Sequence, residues 1–251
     1  MRRILFYHLF LLTGIFVSSC NSSEEYFDEG MNDSSYVKRT YVEFQDRLHD
    51  SFGQSICMIS SGQIRGRDVK SISGEEFIRF LISLPIEKLD SLYNIYCTPE
   101  ADLDYQLKIT QEIDKLINST SVAEVEKIYE FAELYMQMGG RDLHMITEAC
   151  RGVSPIIADC IIGSAAGIDE FLSILPKSRD LNSYCLSHLT ERMAESMVEN
   201  VVVDVAKDAA VALIAVPGAD VVGGLVLAGM DLYNAIELAH EYNMCCATKV
   251  S

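Results

Sequence analysis

"TPEADLDYQLKITQEIDKLINSTSVAEVEKIYEFAELYMQMGG", residues 98–140, decides the fold class, because two helix starts and one helix stop lie inside it. Thr98-Pro99-Glu100 puts a capping hydroxyl ahead of a proline at the first helical position, where the absent N–H would be unpaired anyway. Behind it, Leu103, Leu107, Ile113, Leu116 and Ile117 are spaced as an apolar stripe. Ser121-Val122-Ala123-Glu124 then has the pattern of a capping box. Val125, Ile128, Ala132 and Tyr135 continue it on one helical face, and Gly139-Gly140 is the stop.

The same punctuation recurs on both sides. Upstream, Ser73-Gly74-Glu75-Glu76 reads as another capping box, followed by Phe77, Phe80, Leu81 and Leu84, with a break at Pro85. Val37 to Phe52 has helical spacing and is expected to end at Gly53. Residues 53–73, with Gly53, Gly62 and Gly66, read as an irregular loop carrying Arg65, Arg67 and Lys70. Downstream, helices are expected over 141–150, 155–175 and 181–216, and a final one from beyond Pro217-Gly218 to about Tyr242. No stretch alternates with period two for long enough to be a strand. The fold class is therefore all-α, with a helical domain over 37–251.

The N-terminal end has a different character. Arg2 and Arg3 precede an apolar run, Ile4 to Val17, and small residues follow at Ser18 and Ser19. A basic start, a short apolar stretch and a small-residue exit are the parts of a secretory signal peptide. The run is shorter than the ~20 apolar residues of a spanning helix. Val17-Ser18-Ser19-Cys20 resembles the lipobox of bacterial lipoproteins. That resemblance implies cleavage after residue 19, acylation of Cys20, and a signal peptide over 1–19. Residues 20–36, with Glu24, Glu25, Asp28 and Glu29, read as a lipidated acidic stalk. Asn21, not aspartate, stands second after the cleavage point, and the acidic residues beyond it are similar to the surface-export signal of Bacteroidota-type lipoproteins. The resemblance implies an outer-membrane location, lipid-anchored, with cell-surface exposure favoured.

Composition narrows the partners. Removing residues 1–19 of 251 leaves 232, ample for a sizeable core. Losing Arg2 and Arg3 takes the formal charge from −17 to −19. A surface this acidic argues against nucleic acid, whose phosphates need basic partners, and no nucleic-acid partner is expected. With no tryptophan, no Trp-lined sugar platform exists, although 12 Tyr and 10 Phe leave other aromatic surfaces open. Seven cysteines follow Cys20, enough for up to three disulfides in an exported protein, or for buried thiols acting as small apolar groups. No C-x-x-C pair occurs. The adjacent Cys245 and Cys246 would have to pair with distant partners.

Few residues suggest chemistry. Glu237 and His240 form one E-x-x-H on a helical face, and di-iron bundles need two such motifs with further glutamates, so no metal is expected. His144 with Glu148, and His188 with Glu191, have the spacing of helix-surface pairs, and His49 has no evident partner. Cys185 and His188 share a face, but no oxyanion device or third residue accompanies them. No P-loop, dinucleotide fingerprint or G-x-S-x-G is present. No cofactor is expected beyond the covalent lipid on Cys20.

The stretch "DAAVALIAVPGADVVGGLVLAGM", residues 208–230, is unusually apolar within an expected hairpin spanning 198–242. Asp220, Val222, Gly223 and Gly224 lie in its second arm, and its small residues recur at spacings that let helices approach closely. It reads either as a buried helical hairpin or as one that enters a bilayer. The functional expectation is an outer-membrane or cell-surface lipoprotein, a helical interaction module for an unidentified protein or small ligand. The alternatives are a membrane-active, toxin-related protein using residues 208–230, and an enzyme without a recognisable motif.

Overall fold

Helix starts are fixed by the caps that the sequence advertises. The computed structural model describes residues 34–61, 71–174, 185 and 219–248. Every secondary-structure element among the described residues is an α-helix: α1 (Ser34–Ser61), α2 (Gly74–Ser83), α3 (Ile86–Tyr96), α4 (Pro99–Ser119), α5 (Val122–Gln137), α6 (Leu143–Ala149), α7 (Pro155–Ile174) and α8 (Ala219–Thr248). At α2 the capping box is complete. Ser73 Oγ accepts from the Glu76 N–H at 3.3 Å, and the Ser73 N–H donates to Glu76 Oε2 at 3.2 Å. Pro85 separates α2 from α3, and Thr98 Oγ1 caps α4 by accepting from the Ala101 N–H at 3.2 Å. After α5, three successive residues take positive φ: Gly139, Gly140 and Arg141.

The box expected at Ser121 is only half formed. Ser121 Oγ accepts from the Glu124 N–H, but Glu124 does not reach back to the Ser121 N–H. Its Oε1 instead accepts from the Ser154 N–H at 3.2 Å, satisfying a backbone donor just ahead of α7. The carboxylate is shared, since Glu124 Oε2 still accepts from the Ser121 hydroxyl at 3.2 Å.

Four further expectations need correction. Gly53 does not end the first helix, which runs on to Ser61. Phe52, Ser55 and Ile59 are buried there, and Phe52 stacks on Phe77 of α2 with ring centroids 4.7 Å apart. That packing outweighs the ~1 kcal/mol that glycine costs in a helix interior. The helix also starts before residue 37, at Ser34, because Tyr36 in its first turn donates to Asp159 of α7. The stripe proposed for α4 is really two. Ile109, Ile113 and Leu116 are buried, whereas Leu103 is 71% exposed and Leu107 53%. At 100° per residue the two sets lie about 130° apart around the helix. Finally, α8 continues past Tyr242 to Thr248.

Two apolar clusters fill the interior. One gathers Val37 and Phe44 of α1, Ile109 to Leu116 of α4, Val125 to Tyr135 of α5, and most of α7. The other gathers Phe52 and Ile59 of α1, Phe77, Ile78 and Leu81 of α2, Leu89 of α3, Phe171 of α7, and Leu232 to Tyr242 of α8. α1 and α7 contribute to both. From Ile157 to Phe171, α7 is buried on nearly every side, with α1, α5, α6 and α2 packed against it. A helix apolar all round is an interior helix.

The first arm of the expected hairpin, its Pro217-Gly218 turn, the helix expected over 181–216 except Cys185, and the loop 62–70 lie outside the described residues. In α8, Leu232, Ala235, Ile236, Leu238 and Ala239 are buried. No helix among the described residues is long and apolar enough to cross a membrane. Cys185 and Cys245 form a disulfide with Cα atoms 5.8 Å apart.

Candidate functional site

Acidic side chains inside the most apolar helix are the least expected feature of the interior. α7 carries three: Asp159, Asp169 and Glu170. Asp169 is 3% exposed. Its Oδ2 accepts from the Tyr41 hydroxyl at 2.6 Å and the Tyr135 hydroxyl at 2.9 Å, and its Oδ1 accepts from the Arg141 N–H at 2.6 Å. The Tyr135 oxygen accepts in turn from the Asp142 N–H at 3.1 Å. This network joins α1, α5, α7 and the turn before α6. A buried carboxylate is tolerable only when donors meet it, and here both oxygens accept.

The turn is shaped to deliver its donor. Gly140 has φ +66, and a Cβ on it would stand 2.2 Å from Asp169 Oδ1 and 3.0 Å from Leu172 Cδ1. Arg141 itself has φ 56, an uncommon conformation for a residue with a side chain, and its N–H is thereby aimed at the carboxylate. The flanking N–H groups are used elsewhere, Gly140 donating to the Tyr135 carbonyl and Asp142 to the Tyr135 hydroxyl.

Glu170 ties a second junction. Its Oε1 accepts from the Gly74 N–H at 2.7 Å, at the start of α2, and lies 3.2 Å from His49 Nε2 of α1. The carboxylate sits at a helix N-terminus, where negative charge is favoured. The histidine approach lacks hydrogen-bond geometry, so His49 Nε2 is near Glu170 without an in-line bond to it. His49, which the sequence left without a partner, therefore faces a carboxylate.

The phenols in these networks stay protonated. Burial first, and Asp159 second, push the Tyr36 hydroxyl up to about 12. Burial and then Asp169 push Tyr41 and Tyr135 well above the ordinary phenol value. Burial pushes the Cys150 thiol up to about 12, with Asp159 adding to it. A neutral phenol donating to a carboxylate is a bond that holds two elements together.

The E-x-x-H of α8 lies elsewhere. His240 stacks on Tyr93 of α3, centroids 4.0 Å apart, and its Nε2 is 3.3 Å from Asp90 Oδ1. The Tyr233 hydroxyl donates to Asp102 Oδ1 of α4 at 2.9 Å. Burial, then Glu237 and Asp102, push the Cys97 thiol up to about 12. Glu237 and His240 thus stand beside α3 and α4. No group of three or more His, Cys, Asp or Glu among the described residues could hold a metal.

The other candidates do not converge. His144 and Glu148 form the expected exposed pair at 4.0 Å, and Arg151 reaches the same carboxylate at 2.8 Å. Cys185 is in a disulfide, which removes it as the nucleophile of a pair with His188. His188, Glu191 and Cys20 lie outside the described residues. Asp220, Val222, Gly223 and Gly224 fall on the α8 backbone, and their surroundings lie outside what the structure describes. The residues that sequence reading missed are Asp159, Asp169 and Glu170. The available signal was only that carboxylates within so apolar a helix must find donors on other elements, and it does not say which. Comparison of the chain with family models, with curated proteins and with solved structures finds no match.

Proposed function

We propose that this chain is an outer-membrane lipoprotein, anchored through lipid on Cys20, that presents a helical interaction module outside the cytoplasm, at the cell surface when exported fully. The observation that carries the reading is Val17-Ser18-Ser19-Cys20 directly after a basic start and a short apolar run. The Cys185–Cys245 disulfide supports it independently, because such bonds persist in oxidising compartments and are rare in the cytosol. The buried Asp169 supports a binding module over an enzyme, since both of its oxygens accept from groups of the fold itself. The partner is a protein or small molecule, with nucleic acid disfavoured by charge.

The test is metabolic labelling of the full chain in a bacterial host with an alkyne palmitate analogue, beside Cys20→Ala. Label and membrane partitioning are expected in the parent and lost in the variant. Equal labelling of both, or none in the parent, would sink the anchor. Protease treatment of intact cells then separates outward from inward orientation.

A further inference from the structure

Cys245 and Cys246 are neighbours in the last turn of α8, and only Cys245 is in the disulfide. Cys246 is a half-buried thiol packed against the same apolar cluster as Cys245. Adjacent Cα atoms are about 3.8 Å apart. Disulfides tolerate Cα separations of about 4.4–6.8 Å, and Cys246 comes within that reach of Cys185 when the last turn of α8 rewinds. Carbonyls in the last turn of a helix have no intrahelical donor, which makes this turn the part of α8 that rewinds most easily.

We propose that Cys185 has two alternative partners, and that Cys246 displaces Cys245 by thiol–disulfide exchange within the folded protein. The Cys246 thiolate attacks Cys185 Sγ. The Cys185–Cys246 bond forms as the Cys185–Cys245 bond breaks, and Cys245 leaves as a thiolate that takes up the proton Cys246 released. One disulfide and one thiol are present before and after, so no outside oxidant or reductant is needed.

The exchange has a structural consequence. Successive helical residues are 100° apart, so seating Cys246 where Cys245 now sits turns the end of α8 by about that angle. Cys245 then takes the direction of Met244, which is 49% exposed. A half-buried spare thiol is thereby replaced by an exposed one. The protein alternates between a form whose spare thiol, Cys246, is half-buried and a form that offers Cys245 to a thiol-reactive partner.

Disulfide mapping tests this. The purified protein is held at pH 8 without added thiol, quenched in acid, alkylated under denaturing conditions and digested with trypsin. Cys185 falls in the peptide 180–192, and the adjacent pair falls in 208–249. Fragmentation between Cys245 and Cys246 shows which carries the alkyl group. The expected result is label on both, with the share on Cys245 rising to a plateau. Label confined to Cys246 at every time point overturns the proposal. In Cys245→Ser, Cys185 should remain cross-linked, now to Cys246, and an alkylated Cys185 in that variant, folded by circular dichroism, also overturns it. If that variant fails to fold, the time course in the parent decides alone.

Discussion

Asp169 is a charge where charge is unfavourable, and it survives because two phenols and a backbone N–H converge on it. Asp169→Asn keeps the shape but turns one acceptor into a donor that faces other donors. Loss of charge-assisted bonds is expected to cost about 3 kcal/mol, read as a fall in the urea midpoint. Tyr41→Phe should cost less, and a double-mutant cycle between the two should give a coupling of about 1 kcal/mol or more. Zero coupling would mean that the bond contributes nothing. The glycines of the turn make a sharper contrast. Gly139 and Gly140 both have positive φ, but only at Gly140 would a Cβ meet Asp169. Gly139→Ala should cost only the conformational penalty of about 1–2 kcal/mol, and Gly140→Ala distinctly more. Alkaline pH probes the phenols. Tyr36 ionises at about 12 in the fold against 10.0 ordinarily. Because the raised value favours the neutral form, its contribution is complete below about pH 10 and is lost as pH climbs through the folded value. Absorbance at 295 nm and far-ultraviolet circular dichroism, followed together, should show these phenols ionising only as helicity is lost.

At the scale of elements, α4 carries a lesson about apolar patterns. Leu103 and Leu107 looked like the start of the line that Ile113 and Leu116 continue, yet they occupy another face. Leu107→Glu should change stability by less than about 0.5 kcal/mol, whereas Leu116→Ala should cost about 2–5 kcal/mol, both measured by chemical denaturation. Similar losses at the two positions would restore a single stripe. Helix starts at Ser73 and Thr98, the break at Pro85 and the stop at Gly139-Gly140 were legible because caps, proline and glycine act through neighbouring backbone atoms. Gly53 and the half-formed box at Ser121 were not, because their outcome is set by distant elements: Phe77 stacked on Phe52, and the Ser154 N–H claiming Glu124. The candidate site was hidden for the same reason. The partners of Asp169 come from Tyr41, Tyr135 and Arg141, and no spacing rule links residues that far apart.

For the whole molecule, the decisive feature is that α1 and α7 each belong to both apolar clusters. The Cys185–Cys245 bridge, spanning 60 residues, adds a covalent restraint on the second of them. A loop of that length stabilises by about 4 kcal/mol in the chain-entropy account. Cys185→Ser, which removes both alternative bridges, should therefore lower the melting temperature substantially, as should dithiothreitol on the parent. No change with either would show that the bridge restrains nothing. The position of α1 also matters mechanically. If the lipid holds the chain at Cys20, any pull on the domain enters through the first turn of α1, where Tyr36 is fastened to Asp159. Drag is then borne as shear along a helix embedded in both clusters, many side chains sharing the load, and is not concentrated on one contact at a time as in unzipping. A domain fastened this way should resist tearing from its anchor better than its equilibrium stability alone would suggest.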